Sequence, residues 1–332
     1  MRERIVEQVL KTIRNYEMLK DGDSVLVALS GGPDSVFLLH ALHQLRNKLK
    51  LKSLYVCNLD HGLRGSESRE DSLFAKRLAD ESGLEFIHKK INIDKRKSKK
   101  LSTEEIAREA RYRFFYTAAK KVNANVLATG HTLDDQAETI LMRLIKGASL
   151  KGIIGIASVR EERDLRIIRP LIEIEKNEIA EYLDGAKMSY RVDSTNLEPV
   201  YFRNIVRKEI LPFLERYNPR LKRALFSLAE HLREDFQFIQ EEKHRRQETR
   251  GKRQGACVEI DLKKIVVQPK AIQKEILRDL LDEAGGEVKK LSFRHWKELE
   301  NLIRHKAKGN SVDLPGGIRV SRGEKTLAFS KN

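Results

Sequence analysis

Up to about residue 200, short apolar runs alternate with longer amphipathic segments. "SVLVAL" leads into the helically spaced "DSVFLLHALHQLRNKL", and "LKSLYVCNL" leads through a glycine-bearing loop into "EDSLFAKRLADES". "EFIHKKINI" is followed by the lysine-rich "KRKSKK" and by "STEEIAREARYRFFYTAAKKV", and "NVLATG" by "DDQAETILMRLIKG". Ahead of them all, Ile5, Val6, Val9, Leu10 and Ile13 mark one face of a helix. Strand-helix alternation of this kind predicts an α/β fold, a doubly wound and mostly parallel sheet covered on both sides. Short Val- and Leu-rich strands suit burial on both faces. Ligands of such sheets sit beyond the C-terminal strand ends, where the chain order reverses. The candidate loops are therefore Ser30–Ser35, Asp60–Gly65 and Gly130–Asp134.

The pattern changes near Asn218–Pro219, a helix start with proline in the first turn. Leu221, Leu225, Leu228, Leu232, Phe236 and Ile239 then recur at helical spacing, with a basic outer face that runs on into "EEKHRRQETRGKRQG". Toward the end, Val312 with Leu314, Ile318 with Val320, and Leu327 with Phe329 alternate at strand period, with "PGG" and "RGE" as turns. The expected domains are residues 1–216 and a smaller α+β domain of residues 217–332.

Composition narrows the class. The 332 residues are 40% hydrophobic and 34% charged, a balance typical of a folded, soluble protein. No apolar run reaches the roughly 20 residues that span a bilayer, so no membrane partner is expected. The first helix lacks the features of a signal peptide, which makes a cytoplasmic location the default. The cysteines, Cys57 and Cys257, form no Cys-x-x-Cys pair, which gives little support to zinc, iron–sulfur or dithiol chemistry. A net charge of +16 attracts polyanions, nucleic acid above all. Oligomeric state is not legible, and a homodimer is left open.

The chemistry concentrates in "VLVALSGGPDS". Gly31 and Gly32 allow a sharp turn and close approach of an anion. Pro33 suits the first helical position, and the helix start presents free N–H groups. Ser30 and Ser35 add hydroxyls. Two glycines alone would fit a plain strand-to-helix corner. Asp34 changes that, because a carboxylate beside a phosphate is repulsive unless a cation lies between them. Mg²⁺ is commonly held by one or two carboxylates together with phosphate oxygens. No Gly-x-x-x-x-Gly-Lys-[Ser/Thr] stretch occurs, so the expected task is attack at an α-phosphate with release of pyrophosphate. In "GHTLDDQAETI", His131, Asp135 and Glu138 share a helix face, while Thr132 and Asp135 also fit a capping box. The capping box accounts for Asp135 but not for His131 or Glu138.

"SGGPDS" resembles the Ser-Gly-Gly-x-Asp-Ser signature of the PP-loop, or N-type, ATP pyrophosphatases, whose fold is Rossmann-like. Further stretches resemble the tRNA(Ile)-lysidine synthetases. They are "NLDHGLRGSESRED" with His61, Leu63 and Arg64; "STEEIAREARYRFF" with Glu104, Glu105, Arg108, Arg111 and Tyr112; "ATGHTLDDQAETILMRLIKGASLKGIIGI"; and "RVDSTNLEPVYFRNIVRKEILP" with Asp193, Thr195, Asn196, Arg203, Asn204, Val206 and Arg207. The match spans residue 25 to about 215, and the rest fits a short form of that family.

The resemblance implies two steps. ATP adenylates C2 of the wobble cytidine of tRNA(Ile) bearing a CAU anticodon, and free L-lysine then displaces AMP to give lysidine. It assigns ATP to Ser30, Gly31, Gly32, Pro33, Asp34 and Ser35, with Ala28 and Leu59 flanking adenine by analogy. It assigns Mg²⁺ to Asp34, catalysis to Asp34, His131 and Arg203, and the lysine substrate to Arg111, Asp135 and Glu138. A guanidinium at Arg203 could neutralise charge on the α-phosphate. Read alone, Arg111 is a solvated helix face and Arg203 a basic surface residue. His61, Arg64, Arg207, Arg220, Lys222 and Arg223 are the expected tRNA contacts.

Overall fold

Val25, Leu26 and Val27 are fully buried in strand β1 (Ser24–Ala28), which runs through the middle of a six-stranded sheet. The computed structural model of the chain describes residues 2–60, 66–91, 103–191, 202–246, 252–254 and 257–331. Helix α1 (Arg2–Asn15) precedes β1; α2 (Pro33–Leu45), β2 (Ser53–Asp60), α3 (Ser66–Glu81), β3 (Phe86–Lys90), α4 (Thr103–Lys121), β4 (Val126–Ala128) and α5 (Leu133–Ile145) follow. Then come α6 (Leu150–Ile153), β5 (Val159–Glu162), β6 (Leu165–Ile168) and α7 (Lys176–Gly185). The sheet order is β3-β2-β1-β4-β6-β5, parallel except for the antiparallel edge pair β5 and β6.

Side chains of successive strand residues point to opposite faces, and the core divides accordingly. Val25, Val27, Val56, Val126 and Ile168 pack under α1, α2, α3 and α7, while Leu26, Cys57, Leu127 and Ile167 pack under Phe114, Phe115 and Ala118 of α4. The doubly wound α/β expectation therefore holds. The chain moves from β1 outward to β2 and β3, then returns to place β4 on the other side of β1. The loops after β1 and β4 flank that reversal, the place where sheets of this kind bind ligands.

The β5–β6 hairpin was not foreseen. Its sequence, "VREERDLRII", is too charged to read as strand, but an edge strand needs only one buried neighbour. Arg163 takes the left-handed conformation in its turn (φ 56°), and Arg166 is held by Asp23 at 3.1 Å and Glu161 at 2.9 Å.

Beyond the sheet, α8 (Phe202–Ile205), a π-helical turn (Val206–Ile210) and α9 (Leu211–Glu215) form one continuous run, and α10 spans Leu221–Arg245. Val206, Leu211, Leu225 and Ala229 pack with Ala137, Ile140 and Leu141 of α5. The chain divides into compact units at Glu230–His231, inside α10. The reason is that Leu225, Phe226 and Ala229 belong to the cores of the first unit, whereas Ile239 packs in the second. Leu228, expected on the buried stripe, is 44% exposed, and Phe226 and Ala229 take its place.

The second unit is a five-stranded antiparallel sheet, ordered β7 (Lys252–Gln254), β8 (Cys257–Asp261), β11 (Thr326–Lys331), β10 (Ile318–Arg322) and β9 (Ser311–Leu314). Its helices are α11 (Leu262–Val266), α12 (Lys270–Glu283) and α13 (Phe293–Arg304). All six apolar residues read as alternating along the C-terminal strands are buried. Among the described residues, no helix is long and apolar enough to cross a membrane.

Candidate active site

The turn after β1 is tied together by its own hydroxyls. The Ser35 hydroxyl donates to the Gly32 carbonyl at 2.9 Å and accepts from the N–H groups of Ser30 at 3.1 Å and Gly31 at 3.2 Å. Gly31 has φ 91°, a conformation that other residues enter at a cost. Gly32 is the N-cap of α2 and Pro33 its first residue, with no side chain closing the helix end. The first-turn amides are thus left available to an anion. Ser30 and Ser35 shape the cradle in this way.

The β4 loop comes against the same corner. A Cβ on Gly130 would lie 3.2 Å from the carbonyl carbon and oxygen of Asp34, a tight contact that would press the two backbones apart by a few tenths of an ångström. Thr132 caps α5: the Asp135 N–H donates to Thr132 Oγ1 at 3.4 Å, and Asp135 Oδ2 accepts from the Thr132 N–H at 3.0 Å. The capping box read from sequence is present, and it engages one oxygen of Asp135. The other oxygen, Oδ1, accepts from Lys176 Nζ at 3.0 Å and from Arg203 Nη2 at 3.2 Å.

Lys176 opens α7 and was not singled out in the sequence, where "EIEKNEI" reads as an ordinary charged helix start. Its ammonium lies 3.7 Å from Asp34 Oδ2 as well, so it stands between the carboxylates of both loops. The lysine missing from the glycine turn is supplied from a different element. Asp34 Oδ1 is buried and has no hydrogen-bond partner. Burial pushes the Asp34 carboxyl up to about 6, and Lys176 opposes the shift only in part. Burial also acts to raise Asp135, but Lys176, His131 and Arg203 outweigh it and hold this carboxyl below the usual carboxylate range.

An orphaned, partly desolvated carboxylate oxygen at the mouth of an amide cradle fits a divalent ion brought in with phosphate. Among the described residues no group of three or more His, Cys, Asp or Glu side chains is disposed to hold a metal. Asp34 would therefore hold Mg²⁺ jointly with ligand oxygens. Asp134 accepts from the Lys176 N–H at 2.8 Å and pairs with Lys222 Nζ at 2.8 Å.

Glu138, 1% exposed, is clamped by guanidinium groups. Arg203 Nε donates to it at 2.7 Å, and Arg207 donates through Nε at 2.6 Å and Nη2 at 3.2 Å. Both arginines come from the run through the π-helical turn, a local irregularity often found at functional sites. Asp135 and Glu138 are each neutralised by cations of the chain, as buried carboxylates must be. Arg203 and Arg207 likewise face these carboxylates, and neither lies on a bare basic surface.

His131 Nδ1 lies 3.0 Å from Thr129 Oγ1. Burial first, then Arg169, Arg203 and Arg108, push its imidazole down to about 3, despite the opposing pull of Asp135. The ring is neutral near pH 7 and can exchange hydrogen bonds without carrying charge. Arg169, 3% exposed, belongs to a guanidinium cluster on Tyr112, with Arg108 and Arg160 at 5.0 and 5.1 Å from the ring centre. Arg111 is exposed on α4. Ala28 and Leu59 are half-buried beside the α4-side core, neighbours on one face at the ends of β1 and β2.

Lys222, expected among the tRNA contacts, sits among carboxylates. Asp134, Glu215 at 3.4 Å and Glu175 at 3.3 Å surround its ammonium, and together they raise its pKa against burial. It joins α10 to the first unit's core and is withdrawn from solvent. Arg220 and Arg223 remain exposed. His61, Leu63, Arg64, Asp193, Thr195 and Asn196 lie outside the described residues.

An amide cradle with an acidic corner, set at the reversal point of a parallel sheet, defines the nucleotide site of PP-loop proteins. Residues 1–214 match the PP-loop domain family. The chain is 35% identical over 329 residues to a tRNA(Ile)-lysidine synthase of Clostridioides difficile strain 630, covering 98% of this chain and 70% of that one. It is 33% identical over 334 residues to the tRNA(Ile)-lysidine synthase of Geobacter sulfurreducens, with 98% and 70% covered. The fold is shared with the U34-tRNA thiolase NcsA from Methanococcus maripaludis, with a TM-score of 0.58 at 22% identity over 69% of this chain and 78% of that one. The chain belongs to the tRNA(Ile)-lysidine synthase family of PP-loop proteins.

Proposed function

We propose that the protein ligates free L-lysine to C2 of the wobble cytidine of tRNA(Ile) with a CAU anticodon, consuming ATP and releasing AMP and pyrophosphate through an adenylated tRNA. The observation that carries this reading is the meeting of Asp34 and Asp135, with Lys176 between them, at an amide cradle on the sheet's reversal point, in a chain of this family.

The phosphate chain would rest on the N–H groups of Gly32, Asp34 and Ser35 and the dipole of α2. Asp34 Oδ1 would hold Mg²⁺, which supplies charge neutralisation to the pyrophosphate leaving group when bound. Neutral His131 holds or passes a hydrogen bond near the reacting base without adding charge. Arg203 is held by Glu138 at 2.7 Å and Asp135 at 3.2 Å, so a substrate ammonium entering at either carboxylate would displace it toward phosphate. Arg111 on α4 is kept as the lysine-carboxylate partner. Exposed Arg220 and Arg223 are kept as tRNA contacts, and cytoplasmic tRNA as the partner pool.

Sulfur transfer has less support from this chain. Cys57 is buried, which pushes its thiol up well above the ordinary range, and Cys257 lies in the other sheet.

The test is incubation with radiolabelled lysine, ATP and total tRNA, followed by nucleoside analysis. Label is expected in a cytidine derivative, and ATP–pyrophosphate exchange is expected to require tRNA but not lysine. Exchange that proceeds with lysine alone, or label in no nucleoside, would overturn the reading.

A further inference from the structure

We infer that Lys176 is the polyphosphate-binding cation of this site, resting on Asp135 and Asp34 until a pyrophosphate group draws its ammonium away. The inference deepens the ATP reading above and rests on it.

The glycine turn offers only amides, yet a di- or triphosphate carries more charge than amides alone neutralise. The cations within reach differ in how firmly they are held. Arg207 is bonded to Glu138 through two nitrogens, and Arg203 bridges Glu138 and Asp135. Lys176 has one close contact, to Asp135 at 3.0 Å, and one long contact, to Asp34 at 3.7 Å. Its backbone is fixed, because its N–H donates to Asp134 and its helix is closed by the Glu175–Glu178 capping box. The arm is thus anchored at its root and loosely held at its tip, with the side chain 31% exposed. An ammonium on a flexible four-carbon stem can turn from carboxylate to phosphate with little rearrangement.

The move also has a consequence for Asp34. Lys176 touches its Oδ2 side, while Oδ1 has no partner. Departure of the ammonium would leave the whole carboxylate to a divalent ion. Lysine and metal therefore compete for Asp34 when no phosphate is bound, and share the phosphate chain when it is.

Competition and sharing predict opposite shifts in the two affinities. Inorganic pyrophosphate binding in EDTA, followed by calorimetry, should weaken at least about tenfold in Lys176→Met. Binding of Mn²⁺ without nucleotide, followed by water-proton relaxation, should tighten at least about threefold in the same variant. Lys176→Arg should restore pyrophosphate binding, and Lys176→Gln replaces Met if the latter does not fold. A lysine that only neutralises carboxylates would leave pyrophosphate binding as in the wild type while Mn²⁺ binding tightens and the melting temperature falls, and that result overturns the inference. So does unchanged pyrophosphate binding in the neutral variants while the wild type still binds ATP. A wild type that binds neither ATP nor pyrophosphate overturns the ATP reading as well.

Discussion

At the residue scale, burial acts oppositely on the acid and the imidazole of this site. It raises Asp34 from 3.8 to about 6 and lowers His131 from 6.5 to about 3, since in each case the charged form is disfavoured. The consequences for stability have opposite signs. The unfolded chain protonates His131 more readily, so its contribution is lost as pH falls below 6.5. The folded chain holds the Asp34 proton more tightly, so stability is lost as pH rises from 3.8 through about 6. Asp34→Asn should therefore gain stability over wild type across that rise, by up to about 3 kcal/mol at roughly 1.36 kcal/mol per pKa unit. Thermal melting from pH 4 to 7 reads this directly, and a variant less stable at pH 7 than at pH 4, relative to wild type, would contradict it. Imidazole NMR should show His131 uncharged throughout pH 5 to 8.

At the element scale, the run from α8 to α9 docks on α5 through ion pairs as much as through apolar contact. Glu138 accepts from both Arg203 and Arg207, while Val206 and Leu211 pack on Ala137 and Ile140. Glu138→Ala should leave two guanidiniums short of an acceptor. Because both arginines are about one-third exposed, water takes up part of the loss, and the expected cost is about 2 kcal/mol, below that of a fully buried pair. Amide exchange in residues 202–215 should accelerate while that of β1 stays as in wild type. Unchanged exchange in that run would show that packing alone holds it. The motif "RNIVR" stood out only through its resemblance to the family, since Arg203 read alone is a basic surface residue. That its arginines face the carboxylates of "DDQAE" was not legible, because the contact joins positions 65 and 69 residues apart in the chain.

At the scale of the whole molecule, the net charge of +16 is spread over both units, but many of its cations are already paired. Lys222 and Arg207 are bound to carboxylates inside the first unit, whereas Arg220 is exposed, as are Arg223 and Arg245, which stay 58% and 71% exposed beside Glu175 and Glu242 and can still face a polyanion. Reversing these three to Glu should weaken tRNA binding and flatten its salt dependence, with log K against log salt losing up to about 0.9 of slope per phosphate contact removed. Reversal that leaves the slope intact would move the tRNA surface elsewhere. Lys222→Met, by contrast, should lower stability with little change in slope.

Local spacing was enough to read the alternation of buried strands and helices, the glycine turn with Asp34, the capped helix start at Thr132 and the strand pairs at the C-terminal end. Each depends on neighbours within a few residues, through periodicity, backbone freedom or a helix cap. Long-range packing alone decided which charges meet. It brought Lys176 from the start of α7 to Asp34 and Asp135, closed Arg203 and Arg207 on Glu138, drew Lys222 inward and placed the domain division inside α10. A buried charge must find its opposite somewhere in the folded chain, and that partner is chosen by which strand ends and helix starts the sheet order brings together, at sequence distances no local pattern records.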